Sequence, residues 1–86
     1  MDDKLTRLIS IGKTIHGEAG WQSRLAVDLN LSRQHMSSLM TGARRVTPDI
    51  EERLERALTE EIIPRLEKSI AALRAHADDI AEDRKR

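Results

Sequence analysis

Ser32 to Ser38, "SRQHMSS", crowds small polar and charged side chains into one short stretch, with one histidine and no cysteine. Such groups can recognise a partner by hydrogen bonding, or they can simply be the solvated face of a helix. They are not arranged for catalysis. The chain shows no nucleophile–base pairing and no glycine-rich phosphate loop, so an enzyme is not expected. His35 reads as a polar surface residue or a phosphate contact. His16 and His76 lie far from it, without the spacing of metal ligands. "DDIAED" (Asp78–Asp83) lacks the glycine and the alternating oxygen donors of a calcium loop and reads as a charged helix face. No metal, other cofactor or small-molecule ligand is expected.

At 86 residues the chain suits one small domain with an added arm. A chain of this length buries only about 60–65% of its unfolded surface, so the core must be modest. Trp21 is the one aromatic residue, and it reads as a packing anchor, since a single ring makes no track for single-stranded nucleic acid. The remaining core must come from Leu, Ile, Val, Met and Ala, a set that favours helices over sheets. The lack of cysteine excludes disulfides and thiolate metal sites and fits a reducing cytoplasm. No apolar run is long enough to span a membrane or to serve as a signal peptide.

The formal net charge of zero conceals a division. Residues 1–47 hold seven Lys/Arg against four acids, an excess of +3, whereas residues 48–86 hold eight against eleven, an excess of −3. Random scatter could give so small a difference. It also fits a head that binds a polyanion and a tail that is solvated or meets a partner.

The periodicities place these residues on an all-α framework. Leu5, Leu8, Ile9, Gly12 and Ile15 recur at helical spacing and predict a first helix over 3–16, ended by the glycines of "HGEAG". Trp21, Leu25, Ala26 and Leu29 predict a second helix over 21–29. Asn30 then sits where the chain must turn, a position where asparagine tolerates the left-handed conformation. Ser32 suits the N-cap of a third helix over 33–40 that buries Met36, Leu39 and Met40, with Gly42 closing it. Thr47 as N-cap, Pro48 in the first turn and Asp49, Glu51 and Glu52 near the positive dipole end open a fourth helix. Its inner stripe is Ile50, Leu54, Ala57 and Leu58.

Pro64 predicts a break or sharp kink around Glu61–Ile63, with Pro64 in the first turn of a fifth helix, because a proline inside a helix costs about 3 kcal/mol and clashes with the carbonyl four residues back. Beyond it, Ile63, Leu66, Ile70, Leu73, Ala77 and Ile80 alternate in steps of three and four, the a/d seam of a heptad repeat. Ile or Ala at a with mainly Leu at d favours two strands. The seam can pair between chains or, being only three heptads long, pack back on the domain. "EDRKR" is expected to fray. The predicted division is a domain of residues 1–60 and a C-terminal helix within 61–86.

Two short helices joined by a turn of about three residues, inside a small all-helical domain, form the helix-turn-helix pattern. In that motif the first helix braces across the DNA backbone and the second enters the major groove. Ala26 supplies the small residue that closely crossing helices need. The residues also resemble the lambda-repressor-like, Cro/CI-type helix-turn-helix family: "QSRLA" (Gln22–Ala26), "LNLSR" (Leu29–Arg33), Met36 and Leu39, and "TGARRVTP" (Thr41–Pro48) leading into "LERAL". The resemblance spans about residues 5–58. It departs at Asn30, where the family carries a turn glycine.

Carried over by position, the resemblance implies that Gln22 holds a phosphate and steadies the reading helix. Arg33, Gln34 and Ser38 become the base readers, with arginine able to fork onto guanine and glutamine onto adenine at about 1–3 kcal/mol of discrimination each. Ser32, His35, Ser37 and Thr41 would flank them as phosphate or thymine-methyl contacts, and Arg44 and Arg45 would grip the backbone. The implied function is a sequence-specific regulator of transcription, in the manner of the small repressors of phages and other mobile elements. It would bind a palindromic double-stranded operator as a homodimer through Ile63, Leu66, Ile70, Leu73, Ala77 and Ile80. A competing expectation keeps the fold but gives it a protein partner, as in an antitoxin or anti-activator. An apolar groove over residues 32–45 would favour that alternative, and a continuous positive face would favour DNA.

Overall fold

The computed structural model describes residues 3–86. Five α-helices follow one another: α1 (Asp3–His16), α2 (Trp21–Asp28), α3 (Arg33–Thr41), α4 (Pro48–Arg56) and α5 (Ile63–Arg84). A π-helical segment, Ala57–Ile62, stands between the last two. No strand occurs among the described residues, so the chain is all-α, as its composition predicts. None of these helices is long and apolar enough to cross a membrane. The chain divides into two compact units, one ending at Leu54 and one running from Glu55 to Arg86.

The first unit is built around the ring of Trp21, the first residue of α2. Gly12 on α1 supplies its seat: a Cβ added there would overlap the ring edge, 2.8 Å from Cζ3, and crowd Leu25 Cδ2 at 3.1 Å. The helical spacing that places Gly12 on the inner stripe of α1 thus serves close approach. Leu8, Leu25, Ala26, Leu29, Met36 and Leu39 fill the space around this contact, with Val46, Ile50 and Leu54. No polar or charged side chain is buried among the described residues. Burial of a Leu, Ile or Trp side chain contributes roughly 1.5–3 kcal/mol, so these residues dominate the stability of the unit.

Polar contacts orient the helices at the rim of that core. Glu51 on α4 accepts from Lys4 Nζ at 2.9 Å and Arg7 Nη2 at 2.8 Å, so one carboxylate ties α4 to two successive turns of α1. Such partly exposed pairs contribute about 0–1 kcal/mol each, enough to select an orientation but not to hold it alone. His16 Nε2 lies 2.7 Å from Asp28 Oδ2, joining the last residue of α1 to the last of α2, and both side chains are largely sheltered. Sequence spacing does not reveal this pair, because its members are twelve residues apart on different helices.

The second unit corrects two expectations. Pro64 does not break the helix. The Ile63 N–H donates to the Leu58 carbonyl, five residues back, and the backbone stays helical from Pro48 through Arg84. Widening the turn by one residue gives the proline ring room against the preceding carbonyls, and Pro64 occupies the first turn of α5. "EDRKR" does not fray at Glu82 either: α5 continues to Arg84. Leu, Ala, Arg, Glu and Lys over most of α5 give it high intrinsic helicity.

Gly12→Ala should lower the stability of the first unit by roughly 1–3 kcal/mol, because the added methyl has no space against the indole. Chemical denaturation followed by circular dichroism and by Trp21 fluorescence measures the loss. An unchanged midpoint would show that Gly12 does not seat the ring.

Candidate nucleic-acid interface

The stretch Leu25–Pro48 acquires its shape from three local backbone devices. Asn30 has φ 55° and is the only non-glycine residue with positive φ among those described. Its N–H donates to the Val27 carbonyl at 3.1 Å, and the Leu31 N–H donates to the Ala26 carbonyl at 2.8 Å. This pair of bonds closes α2 and reverses the chain within Leu29–Ser32. Ser32 is extended (φ −69°, ψ 157°), and its Oγ accepts from the His35 N–H at 3.0 Å, which starts α3 at Arg33. Gly42, at φ 84°, ends α3. Two bonds to one oxygen then fix the basic loop: the Arg44 N–H donates to the Ser38 carbonyl at 3.1 Å, and Thr41 Oγ1 donates to the same oxygen at 3.3 Å.

With Met36 and Leu39 buried, α3 turns a polar strip outward. Arg33, Gln34, Ser37 and Thr41 are exposed, while His35 and Ser38 are half-buried at its edges. Ser37 therefore lies nearer the centre of the open face than Ser38 does. A shallow cleft between α2 and α3 brings Gln22 and Ser23 across from Arg33 and Ser37, over Ala26 and Met36. A second cleft joins Ser32 and His35 to Arg44, Arg45 and Arg53. Thr41 lines a third depression together with Arg44, Arg45, Leu5, Met40 and Val46. Gln34 belongs to the open face of α3 itself.

Charge pairing separates the cations of this unit into two groups. Lys4, Arg7, Lys13 and Arg53 each meet a carboxylate, at 2.9, 2.8, 3.4 and 3.2 Å. Arg24, Arg33, Arg44 and Arg45 are exposed and have no carboxylate partner among the described residues. Three of the four unpaired arginines lie in α3 or in the loop after it and the fourth on α2, while the cations of α1 are paired. Bare guanidiniums beside exposed amide and hydroxyl groups can neutralise phosphates and read hydrogen-bonding edges. No group of three or more His, Cys, Asp or Glu among the described residues could hold a metal ion.

No family model, curated protein or solved structure matches this chain.

Two residues join the surface without having been singled out by the sequence. Ser23 faces the α2–α3 cleft beside Gln22, and its place one turn before Ala26 is a signal that could have found it. Arg53 borders the second cleft, yet its i,i+4 spacing from Asp49 reads only as a helix-surface ion pair. The seam residues of α5 form a separate surface in the second unit. Ile63, Leu66, Ile70, Leu73 and Ile80 are 40–66% exposed, Ala77 is exposed, and no residue of α5 is buried.

Asn30→Ala should cost about 1–2 kcal/mol, because alanine resists the left-handed conformation that lets α3 follow α2. Asn30→Gly should leave stability unchanged or raise it. Thermal melts of the two variants provide the check, and equal melting temperatures would remove the turn from the argument.

Proposed function

We propose that this chain is a sequence-specific, double-stranded-DNA-binding regulator of transcription, acting in the cytoplasm as a homodimeric repressor or autoregulator. The observation that carries the reading is that α3 and the loop after it expose Arg33, Arg44 and Arg45, without carboxylate partners among the described residues, together with the polar strip of α3. A helix about 10–12 Å across enters a major groove about 12 Å wide only if its outer side chains are hydrogen-bonding and not bulky. The strip of Gln34, Ser37 and Thr41 answers that description.

In this reading α2 and α3 act as a helix-turn-helix of the Cro/CI kind. Arg33 and Gln34, in the first turn of α3, address base edges, with Ser38 one turn on. Gln22 holds a phosphate, and Ser32, His35, Ser37 and Thr41 flank the readers as phosphate or thymine-methyl contacts. Arg44 and Arg45, held by the Arg44 N–H to Ser38 carbonyl bond, add sequence-independent attraction through counterion release. The role is binding without catalysis or cofactor. One small head makes few base contacts, so pairing through the exposed stripe of α5 raises affinity and matches a two-fold operator.

The depression containing Leu5, Met40 and Val46 beside Arg44 and Arg45 is the observation that favours a protein partner instead. Selection of binding sites from random duplexes separates the two readings. DNA recognition predicts an enriched inverted repeat, whereas an interaction module enriches none.

Arg33→Ala and Gln34→Ala should each cost about 1–3 kcal/mol on the preferred site and relax preference at one base position. Arg44→Ala and Arg45→Ala should weaken binding to all sequences and reduce the salt slope by about one unit each. Titrations at several salt concentrations, on selected and scrambled duplexes, separate these effects. Base preference unaltered in both α3 variants would defeat the readout assignment. Leu66→Asp or Leu73→Asp should yield a folded monomer with poor operator binding, and a variant still dimeric by sedimentation would contradict pairing through α5.

A further inference from the structure

The exposed stripe of α5 carries information about orientation as well as pairing. With Ile63, Ile70 and Ala77 at a and Leu66, Leu73 and Ile80 at d, the flanking e positions are Glu67, Arg74 and Ala81. The g positions are Ser69, His76 and Asp83. All six are exposed, and neither Glu67 nor Arg74 has an ion-pair partner among the described residues. Residues at e and g are those that meet across the edge of a helix pair and select its direction.

In a parallel pair each core residue meets its own copy. Ala77 would then face the partner's Ala77, leaving a thin layer between those of Leu73 and Ile80. The g-to-e contacts would set Ser69 against the partner's Arg74 and His76 against the partner's Ala81, with no pair of opposite charges. The acidic run Asp78, Asp79, Glu82 and Asp83 would lie alongside its own copy. Like charges at such range repel.

An antiparallel pair reverses each of these features. Ile63 meets the partner's Ile80, Leu66 meets the partner's Ala77, and Ile70 meets the partner's Leu73. The full stripe is covered with no overhang, and the small alanine is matched to a large leucine. Contacts now run e to e and g to g, so Glu67 faces the partner's Arg74, and two-fold symmetry gives the pair twice. Asp78 and Asp79 of each chain lie near the partner's Arg65 and Lys68, while Glu82 and Asp83 lie level with its Glu61 and Glu60, and the helix dipoles oppose.

We infer that α5 pairs with α5 of a second copy in antiparallel orientation, with Glu67 of each chain against Arg74 of the other. This rests on the pairing role given to α5 in the proposed function. Ile63 of one chain is level with the partner's Ile80, so the two chains run into the pair from opposite ends, their Ile63 residues ~26 Å apart along the axis. The pair keeps a two-fold axis, now perpendicular to the helices, and still suits an inverted repeat.

Sedimentation equilibrium of the full-length chain tests the inference without DNA. Glu67→Arg and Arg74→Glu should each raise the dimer dissociation constant roughly threefold to thirtyfold, as expected for two facing surface pairs turned repulsive. The double variant Glu67→Arg/Arg74→Glu should return to within about twofold of the original. A parallel pair predicts no rescue, because those residues then face Ile62 and Ser69. The chain has no cysteine, so a spin label on Glu82→Cys reports on one site per chain. Antiparallel pairing places the two labels more than ~30 Å apart, and parallel pairing less than ~25 Å. A dimer with close labels or without rescue overturns the orientation alone. A chain that stays monomeric overturns the pairing as well, while site selection judges DNA recognition independently.

Discussion

The seating of Trp21 on Gly12 is the contact from which the first unit is organised. The chain has a single large ring, and α1 accepts it only because one residue of its inner stripe has no Cβ. That approach sets the start of α2. From there the Asn30 turn and the Ser32 cap, both short-range devices, set the start of α3. The polar strip thus sits on a helix whose placement descends from a steric fit several turns away. Local caps define where helices begin and end, but packing decides which of their faces is spent on the core.

Charge follows the same hierarchy. The basic excess of residues 1–47 is small as a sum, and composition alone leaves open whether it means anything. Folding makes it count by consuming some cations and sparing others. Glu51 takes both Lys4 and Arg7, Glu18 takes Lys13, and Asp49 takes Arg53. The arginines around α3 meet no carboxylate among the described residues. A modest surplus becomes a directed one, which is the form that matters to a polyanion.

Much of the fold was legible because its signals are local. Helical spacing, the Ser32 and Thr47 caps, the closing Gly42 and the left-handed Asn30 all act within one turn, so sequence position nearly equals spatial position. Pro64 was legible as a disturbance but not as an outcome. The rule against interior proline counts a lost hydrogen bond and a clash, and a helix that widens to five-residue bonding relieves the clash without stopping. In the candidate interface, Arg33 and Gln34 lie on the open face expected of them, while Ser23 and Arg53 enter it only through neighbours from other elements.

The sequence by itself determined the all-α class, the helix limits to within a few residues, the polar character of α3 and the heptad stripe of α5. Each depends on interactions between residues at most a few positions apart. Only the tertiary structure decided that Gly12 is a seat for an aromatic ring and that His16 closes on Asp28. It also decided which cations are neutralised, and that Gln22 and Ser23 share a cleft with Arg33 and Ser37. Those facts depend on distances between separate helices, which periodicity does not encode and close packing does.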